Sequence, residues 1–280
     1  MPTIRLAQMF DVKGTFVPTR VSVYLKRVGS NTANDFSLDK GSIVIDASNF
    51  ASITQQDNKI VFDDRISDFT GNGFMQLKEF VSSAATNYAS VNYNIETAAT
   101  GKYNLYLRGH TDTGTFQASV LLDGIVVDTI NESAGAGWRW FTSSLVLPDP
   151  DEHVLGIRLE DNNNALDKVY INRNSDNPSG TGPALSVSPY VNVHVQIYET
   201  KKQVPTDPLL IYDWKTTKNE VIADDWYYFN IKPISSTVSI NFTSTYAIVL
   251  SATGGDNTNF VIWELVDNDE YAILPSAIRV

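Results

Sequence analysis

The 280-residue chain has no cysteine, only three histidines and only three methionines. Without cysteine there is no disulfide framework and no thiolate nucleophile or metal ligand, and nothing reports the redox compartment. The histidines, His110, His153 and His194, are scattered, and no His-x-His, His-Glu-x-x-His, Gly-x-Ser-x-Gly or P-loop pattern accompanies them. The expectation is a protein that is not an enzyme. Basic residues are scarce as well: 21 Lys and Arg stand against 32 Asp and Glu, for a net charge of −11, and the longest basic run is Lys201-Lys202. Phosphate neutralisation needs clustered cations, so nucleic acid and anionic membranes are excluded as partners. No apolar run approaches a membrane span, and the opening MPTIRLAQMFDVKGTF lacks a basic segment followed by an apolar one. Neither membrane insertion nor a secretion signal is expected.

What is present is β-forming. Apolar residues make up 42% of the chain and aromatic ones 11%, enough for real cores, while charged residues are only 19%. Residues 91 to 171 alternate with a period of two: Val91, Tyr93 and Ile95; Tyr103, Leu105 and Leu107; Val120, Leu122 and, past a turn, Val126. Successive side chains on a strand point to opposite faces, so each of these strands has one buried and one wet face, as an antiparallel sandwich requires. Turn residues fall where the alternation breaks, at Thr100-Gly101, Asp112-Thr113-Gly114, Asp123-Gly124 and Gly135-Ala136-Gly137.

Within this stretch the succession GKYNLYLRG, ASVLLDG, GWRWF, HVLGIRLED and ALDKVYI resembles the β-jelly-roll carbohydrate-binding modules of the family 6 and family 35 type. GSIVIDASNF (41–50) and SDFTGNGFM (67–75) stand where that family has its opening strand and a following loop, so the resemblance covers residues 41 to 173. It implies an all-β fold, a jelly-roll β-sandwich, and a sugar site at the end of the sandwich. Trp138 matches the stacking platform of the family. Phe69 and Phe74 are the rings available for a second platform, and Trp140 lies deeper on the same strand; the alternative is that both indoles pack in the core. Where the family has a sugar-binding Asn this chain has Ala165, and Asn162 and Asn164 are the amides that stand nearby. The resemblance also implies a structural Ca2+, with Asp46 and Asp167 at two of its ligand positions and Ser48 where a further carboxylate belongs. Asp63/Asp64 and Asp149/Asp151 are carboxylate pairs of the kind a glycosidase uses, yet Asp149-Pro150-Asp151 reads more simply as a solvated turn.

The flanks are organised differently. Strands are expected within residues 3–29 and 190–199; each set is too small for a stable sheet, so residues 1–40 are expected to pack with 185–200, as a shared small sheet or as edge cover for the sandwich. The opening LAQMFDV with PTRVSVYLKRVG resembles the openings of viral tail and fibre β-domains. NRNSDNPSGTGPALSVSP (172–189) reads as a surface loop, KKQVPTDP (201–208) as a linker, and 209–280 as a second small β-sandwich or barrel. Its cluster Trp226-Tyr227-Tyr228-Phe229 is either core or an assembly interface. The combined expectation is a non-catalytic structural protein of a bacteriophage virion, such as a tail, baseplate or decoration component assembled in the host cytoplasm. Its expected partners are other virion proteins, further copies of itself as a homo-oligomer, and cell-surface polysaccharide. The alternative is an extracellular module of a secreted polysaccharide-degrading system, its signal trimmed.

Overall fold

The computed structural model describes residues 5–10, 15, 21–28, 36–79, 88–112, 114–133, 135–162, 164–174, 176–186, 191–201, 204–216, 225–230, 232–233, 244–254 and 260–263. Among them there is no helix. The strands, in chain order, begin with β1 (Arg5–Phe10), β2 (Val21–Val28), β3 (Phe36–Ser37), β4 (Ser42–Asp46), β5 (Ser52–Gln55), β6 (Lys59–Asp63) and β7 (Phe74–Glu79). They continue with β8 (Ala89–Glu96), β9 (Gly101–Thr111), β10 (Thr115–Leu122), β11 (Ile125–Ser133), β12 (Gly137–Leu147), β13 (Glu152–Leu159) and β14 (Ala165–Asn172). Last come β15 (Val191–Lys201), β16 (Val204–Thr216), β17 (Asp225–Phe229), β18 (Lys232–Pro233), β19 (Tyr246–Gly254) and β20 (Phe260–Trp263). The chain divides into two compact units, residues 33–189 and residues 1–32 with 190–280.

The 33–189 unit is a jelly-roll β-sandwich of two sheets. One runs β11-β10-β13-β8-β3 with β5 also on β8; the other runs β12-β9-β14-β7-β6 with β4 also on β14. The alternation read from the sequence decides what goes between them: Val91, Tyr93, Ile95, Val120, Leu155 and Ile157 from the first sheet, and Leu105, Leu107, Phe141, Leu145, Val169 and Ile171 from the second, are all buried. Phe116 and Phe141 stack across the interface at 4.2 Å between centroids. Gly109 is required there, because a Cβ on it would fall 2.3 Å from the Phe116 ring. The Asp123-Gly124 turn joins β10 to β11 with both residues at positive φ, +51° and +82°, the geometry a two-residue hairpin favours.

The other unit packs β1-β19-β15-β16-β18 and a three-stranded sheet, β17-β2-β20. Val23 and Leu25 of β2 and Phe229 of β17 meet Val191, Val193, Val195 and Ile197 of β15 and Tyr246 and Leu250 of β19 in one core cluster. β1 and β15 lie in one sheet with β19 between them. The unit differs from the expected division in two ways. Residues 209–280 are not a self-contained sheet system, because β2 lies between β17 and β20 and β1 pairs β19. The segment 201–208 is not a linker: Lys201 ends β15 and Val204 begins β16, with Thr200 opposite Pro205 and Tyr198 opposite Pro208. Proline cannot donate to a ladder and survives in sheets at irregularities, and both prolines stand at the two register shifts of this pair.

Candidate functional site

Strand register lays out the outer face of the β12-β9-β14-β7-β6 sheet row by row. Trp138, His110, Ala165, Gln76 and Val61 share one cross-strand row; Trp140, Arg108, Lys168 and Asp46 share a second. Thr142, Tyr106, Tyr170 and Val44 follow in a third. The first row is at one end of the sandwich, and this is where the sequence placed the platform.

Trp138 is half-buried and firmly held. Its Nε1 donates to the Ser67 carbonyl at 2.8 Å. Phe74 approaches edge-on at 5.3 Å, His110 at 5.0 Å, and the Arg108 guanidinium lies 5.4 Å from the ring centroid. Phe69, also half-buried, meets Phe74 edge-on at 5.7 Å. Phe74 itself is fully buried, so it is the support under Trp138 and Phe69 and presents no face to a ligand. This corrects its expected part in a second platform. Trp140 is tied to the Gly180 carbonyl through its Nε1 at 3.1 Å and is covered from above by Gly182, whose added Cβ would lie 2.3 Å from the indole.

The two amides separate. Asn162 is exposed on its turn, with no contact joining it to Trp138. Asn164 is fully buried; its Nδ2 donates to the Gln117 carbonyl of the opposite sheet and its own carbonyl accepts from Leu77 N. Ala165 faces outward in the Trp138 row, so its neighbour Asn164 must face inward. Asn164 therefore closes the end of the sandwich and is not a sugar ligand. Its Oδ1 is buried without a partner.

His110 is buried beside Trp138, its Nδ1 lies 3.7 Å from Asp112 Oδ1 and accepts no hydrogen bond. Burial lowers its pKa against the pull of Asp112 and so favours the neutral imidazole. Across the same end Asp63 takes a bidentate contact from Arg65 at 2.9 and 2.7 Å, with Lys78 Nζ at 3.4 Å. Burial raises its pKa, but the Arg65 hydrogen bonds and the charges of Arg65 and Lys78 more than offset this and hold the carboxyl below its ordinary value. Asp63 is thus committed to an ion-pair cluster and is not half of a catalytic pair. His153 is locked between Asp123 and Asp149, and His194 is buried in the other unit against Thr253.

The acid pair expected to hold Ca2+ has a different set of neighbours. Asp46 Oδ1 accepts from Ser48 N and Oγ at 2.9 and 2.6 Å, and its Oδ2 accepts from Asn72 N at 2.9 Å. Asp167 Oδ1 accepts from Thr70 N at 2.9 Å; its Oδ2 accepts from Thr70 Oγ1 at 2.7 Å and from the Arg108 guanidinium. Calcium takes six to eight oxygen ligands, whereas these carboxylates are surrounded by N–H and O–H donors. Among the described residues no group of three acidic or histidine side chains is placed to hold a metal. The residues present do not fit the ion. Burial raises Asp46 to about 6, against its hydrogen bonds from Ser48 and Asn72, and raises Asp167 as well.

The middle of the sheet face is covered by residues 176–186, which the sequence presents as a plain surface loop. Lys168 Nζ donates to the Thr181 and Pro183 carbonyls at 2.9 and 3.2 Å, Arg108 Nε to Gly180 O, and Tyr106 OH to Asn177 Oδ1 at 2.7 Å. Ser186 pairs with Val44 through both of that residue's backbone groups. The segment is rich in Gly, Pro and Ser, so few bulky side chains keep its carbonyls from the two cations. Arg108, Lys168 and Thr70 were not singled out from the sequence as site residues; the signal for Arg108 was its place at the end of the GKYNLYLRG strand.

No family profile and no curated protein matches the chain. Solved structures that overlay on part of it include the GH26-CBM35 β-(1,4)-mannanase of Podospora anserina, at 17% identity and TM-score 0.41 over 49% of this chain. The chain spans 29% of that mannanase. A family 35 carbohydrate-binding module from Clostridium thermocellum overlays at 14% identity and TM-score 0.38, over 46% of this chain and 96% of the module. An isomalto-dextranase of Arthrobacter globiformis does so at 12% identity and TM-score 0.39, over 60% of this chain and 33% of the enzyme. At these scores none of them says what this chain binds.

Proposed function

We propose that the 33–189 unit is a non-catalytic glycan-binding module whose platform is Trp138, extended by Phe69. The observation that carries this reading is the state of Trp138: an indole partly open to solvent, its edge fixed by Ser67 and its position fixed by Phe74 and His110. A rigid, partly exposed aromatic at the end of a sandwich binds an apolar sugar face with little ordering cost. Residues 176–186 cover the middle of the sheet, while the end row keeps Trp138 partly open to solvent. The test is a glycan array followed by calorimetry. Trp138→Ala is expected to weaken binding about 30-fold, as loss of a central aromatic contact does, with Phe69→Ala weaker in effect. Unchanged binding by Trp138→Ala sinks the assignment.

A second proposal concerns the setting. We propose that the chain is a surface component of a phage particle, the other unit docking it to virion proteins or to further copies of itself. Trp226 and Tyr228 favour this: both point outward from β17, 46% and 49% exposed, while Phe229 on the same strand is buried, and Tyr24 meets Trp226 edge-on at 5.7 Å. Aromatic residues are enriched at the centres of interfaces. Light scattering of the full chain should show an oligomer that Trp226→Ser dissociates; a monomer that binds polysaccharide favours the extracellular module instead.

A further inference from the structure

The acid pair of the outer sheet face is paired with an arginine where the family resemblance would put a metal. Arg108 reaches three acceptors from three separate segments. NH1 contacts Asp167 of β14, NH2 donates to the Asp68 carbonyl of the 64–73 loop at 3.0 Å, and Nε donates to the Gly180 carbonyl of the covering segment. A divalent ion gathers carboxylates and carbonyls from different segments in the same way. The guanidinium does so with directed N–H donors and a permanent charge.

The local charges also balance without an ion. Asp46 and Asp167 are two buried carboxylates, and Arg108 and Lys168 are two buried cations in the cross-strand row that also holds Asp46. Burial lowers the Lys168 pKa and the Arg108 charge lowers it further, while the charges of Asp167 and Asp46 pull it up. A Ca2+ ion arriving here would meet two positive side chains as well as the five N–H and O–H donors from Ser48, Thr70 and Asn72 that already face the oxygens. The Asp46 and Asp167 main-chain carbonyls are taken too, by Asn49 N and Ala47 N.

We propose that Arg108 is the internal cation of this sandwich, a positioning residue that joins Asp167, the 64–73 loop and the 176–186 segment, and that the unit therefore folds and holds Trp138 in place without calcium. Asp68 and Ser67 belong to the same loop, so the Arg108 contact with Asp68 O also sets the carbonyl that receives Trp138 Nε1. The inference does not depend on a glycan being the ligand.

The test uses the full chain in scanning calorimetry with millimolar Ca2+ or with EDTA, together with a direct Ca2+ titration. The variants are Arg108→Gln, Asp167→Asn and the two combined. The wild type is expected to melt at one temperature in both buffers and to show no saturable Ca2+ heat. Arg108→Gln is expected to lower the melting temperature of the unit by roughly 5–15 °C, because an uncompensated carboxylate stays buried. The double variant should lose clearly less than the sum of the single ones, since the amide removes that charge. A saturable Ca2+ response with a raised melting point in the wild type overturns the proposal. So does wild-type melting of Arg108→Gln, or full additivity in the double variant. If Arg108→Gln does not fold, the wild-type titration and the rescue of folding by Asp167→Asn in the same chain decide it.

Discussion

The Asp123-Gly124 hairpin predicts its own pH dependence. His153 is buried, its Nδ1 lies 2.8 Å from Asp123 Oδ2, its Nε2 lies 3.2 Å from the Asp149 carbonyl and 3.3 Å from Asp149 Oδ1. Asp123 Oδ1 also accepts from Val154 N at 2.8 Å. Burial lowers the His153 pKa, yet the Asp123 hydrogen bond and the charges of Asp123 and Asp149 together raise it above 6.5. A raised pKa means that the charged imidazole stabilises the fold fully below about pH 6.5, and that this contribution is lost as pH rises through the folded value. Asp123 is displaced downward, so its share is present above pH 3.8 and lost as pH falls through its lowered value. A hydrogen bond between charged groups is worth about 1.5–3 kcal/mol; with Asp123 and Asp149 47% and 61% exposed, screening reduces this to about 1 kcal/mol. Asp123→Asn keeps the acceptor for Val154 N and a residue that tolerates positive φ, and removes only the charge. The difference in urea stability between wild type and Asp123→Asn should therefore be about 1 kcal/mol near pH 5.5 and shrink toward zero by about pH 8.5. Taking the difference cancels the contributions of Asp46, raised to about 6, and of the other titrating groups that both proteins share. A difference that stays constant with pH, or a His153 that titrates by NMR at or below 6.5, would refute the reasoning.

Other perturbations follow from close contacts. Gly109→Ala drives a methyl into a Phe116 ring that is stacked on Phe141 and cannot retreat, so it should cost about 1–3 kcal/mol in denaturant unfolding; a neutral result would mean the ring pair repacks. Gly182→Ala, at φ +72° with its Cβ 2.3 Å from Trp140, should cost about 1–2 kcal/mol and make Trp140 fluorescence more accessible to acrylamide. Unchanged quenching would show that the segment yields without uncovering the indole. Phe74→Ala should lower stability by about 3–5 kcal/mol and weaken any ligand that Trp138 binds, whereas Asn162→Ala should change neither; weakened binding by Asn162→Ala would restore the amide to the site.

Period-two patterning and turn chemistry were enough to read the strands of 91–171, the Asp123-Gly124 hairpin and the buried face of β8, β9 and β10, because side-chain alternation and positive φ are local properties of the chain; Val126, expected on a buried face, is instead 43% exposed on the edge strand β11, where alternation does not decide what covers a face. Trp138 was singled out through the family resemblance of GWRWF, and its place at a strand opening after the Gly135-Ala136-Gly137 turn fits an end of the sandwich. Which strands pair is not local. β1 joins β19 across more than two hundred residues, and β2 is enclosed by β17 and β20, so the flanks assemble into one unit that no neighbouring pattern announces. Pro205 and Pro208 looked like a connector because a proline's missing N–H argues against a ladder, and only the register shifts of β15 and β16 show where that absence is tolerated. The same limit applies to chemistry. Asp46 and Asp167 are written in the sequence, but whether a carboxylate meets a metal or a guanidinium depends on what the fold points at it: Thr70 comes from 97 residues away and Arg108 from 59. Asn164, just before β14, is turned inward and reaches the Gln117 carbonyl of the opposite sheet. Composition and alternation determined the class of fold; tertiary structure alone decided which polar groups lie around Trp138 and which are consumed in holding it.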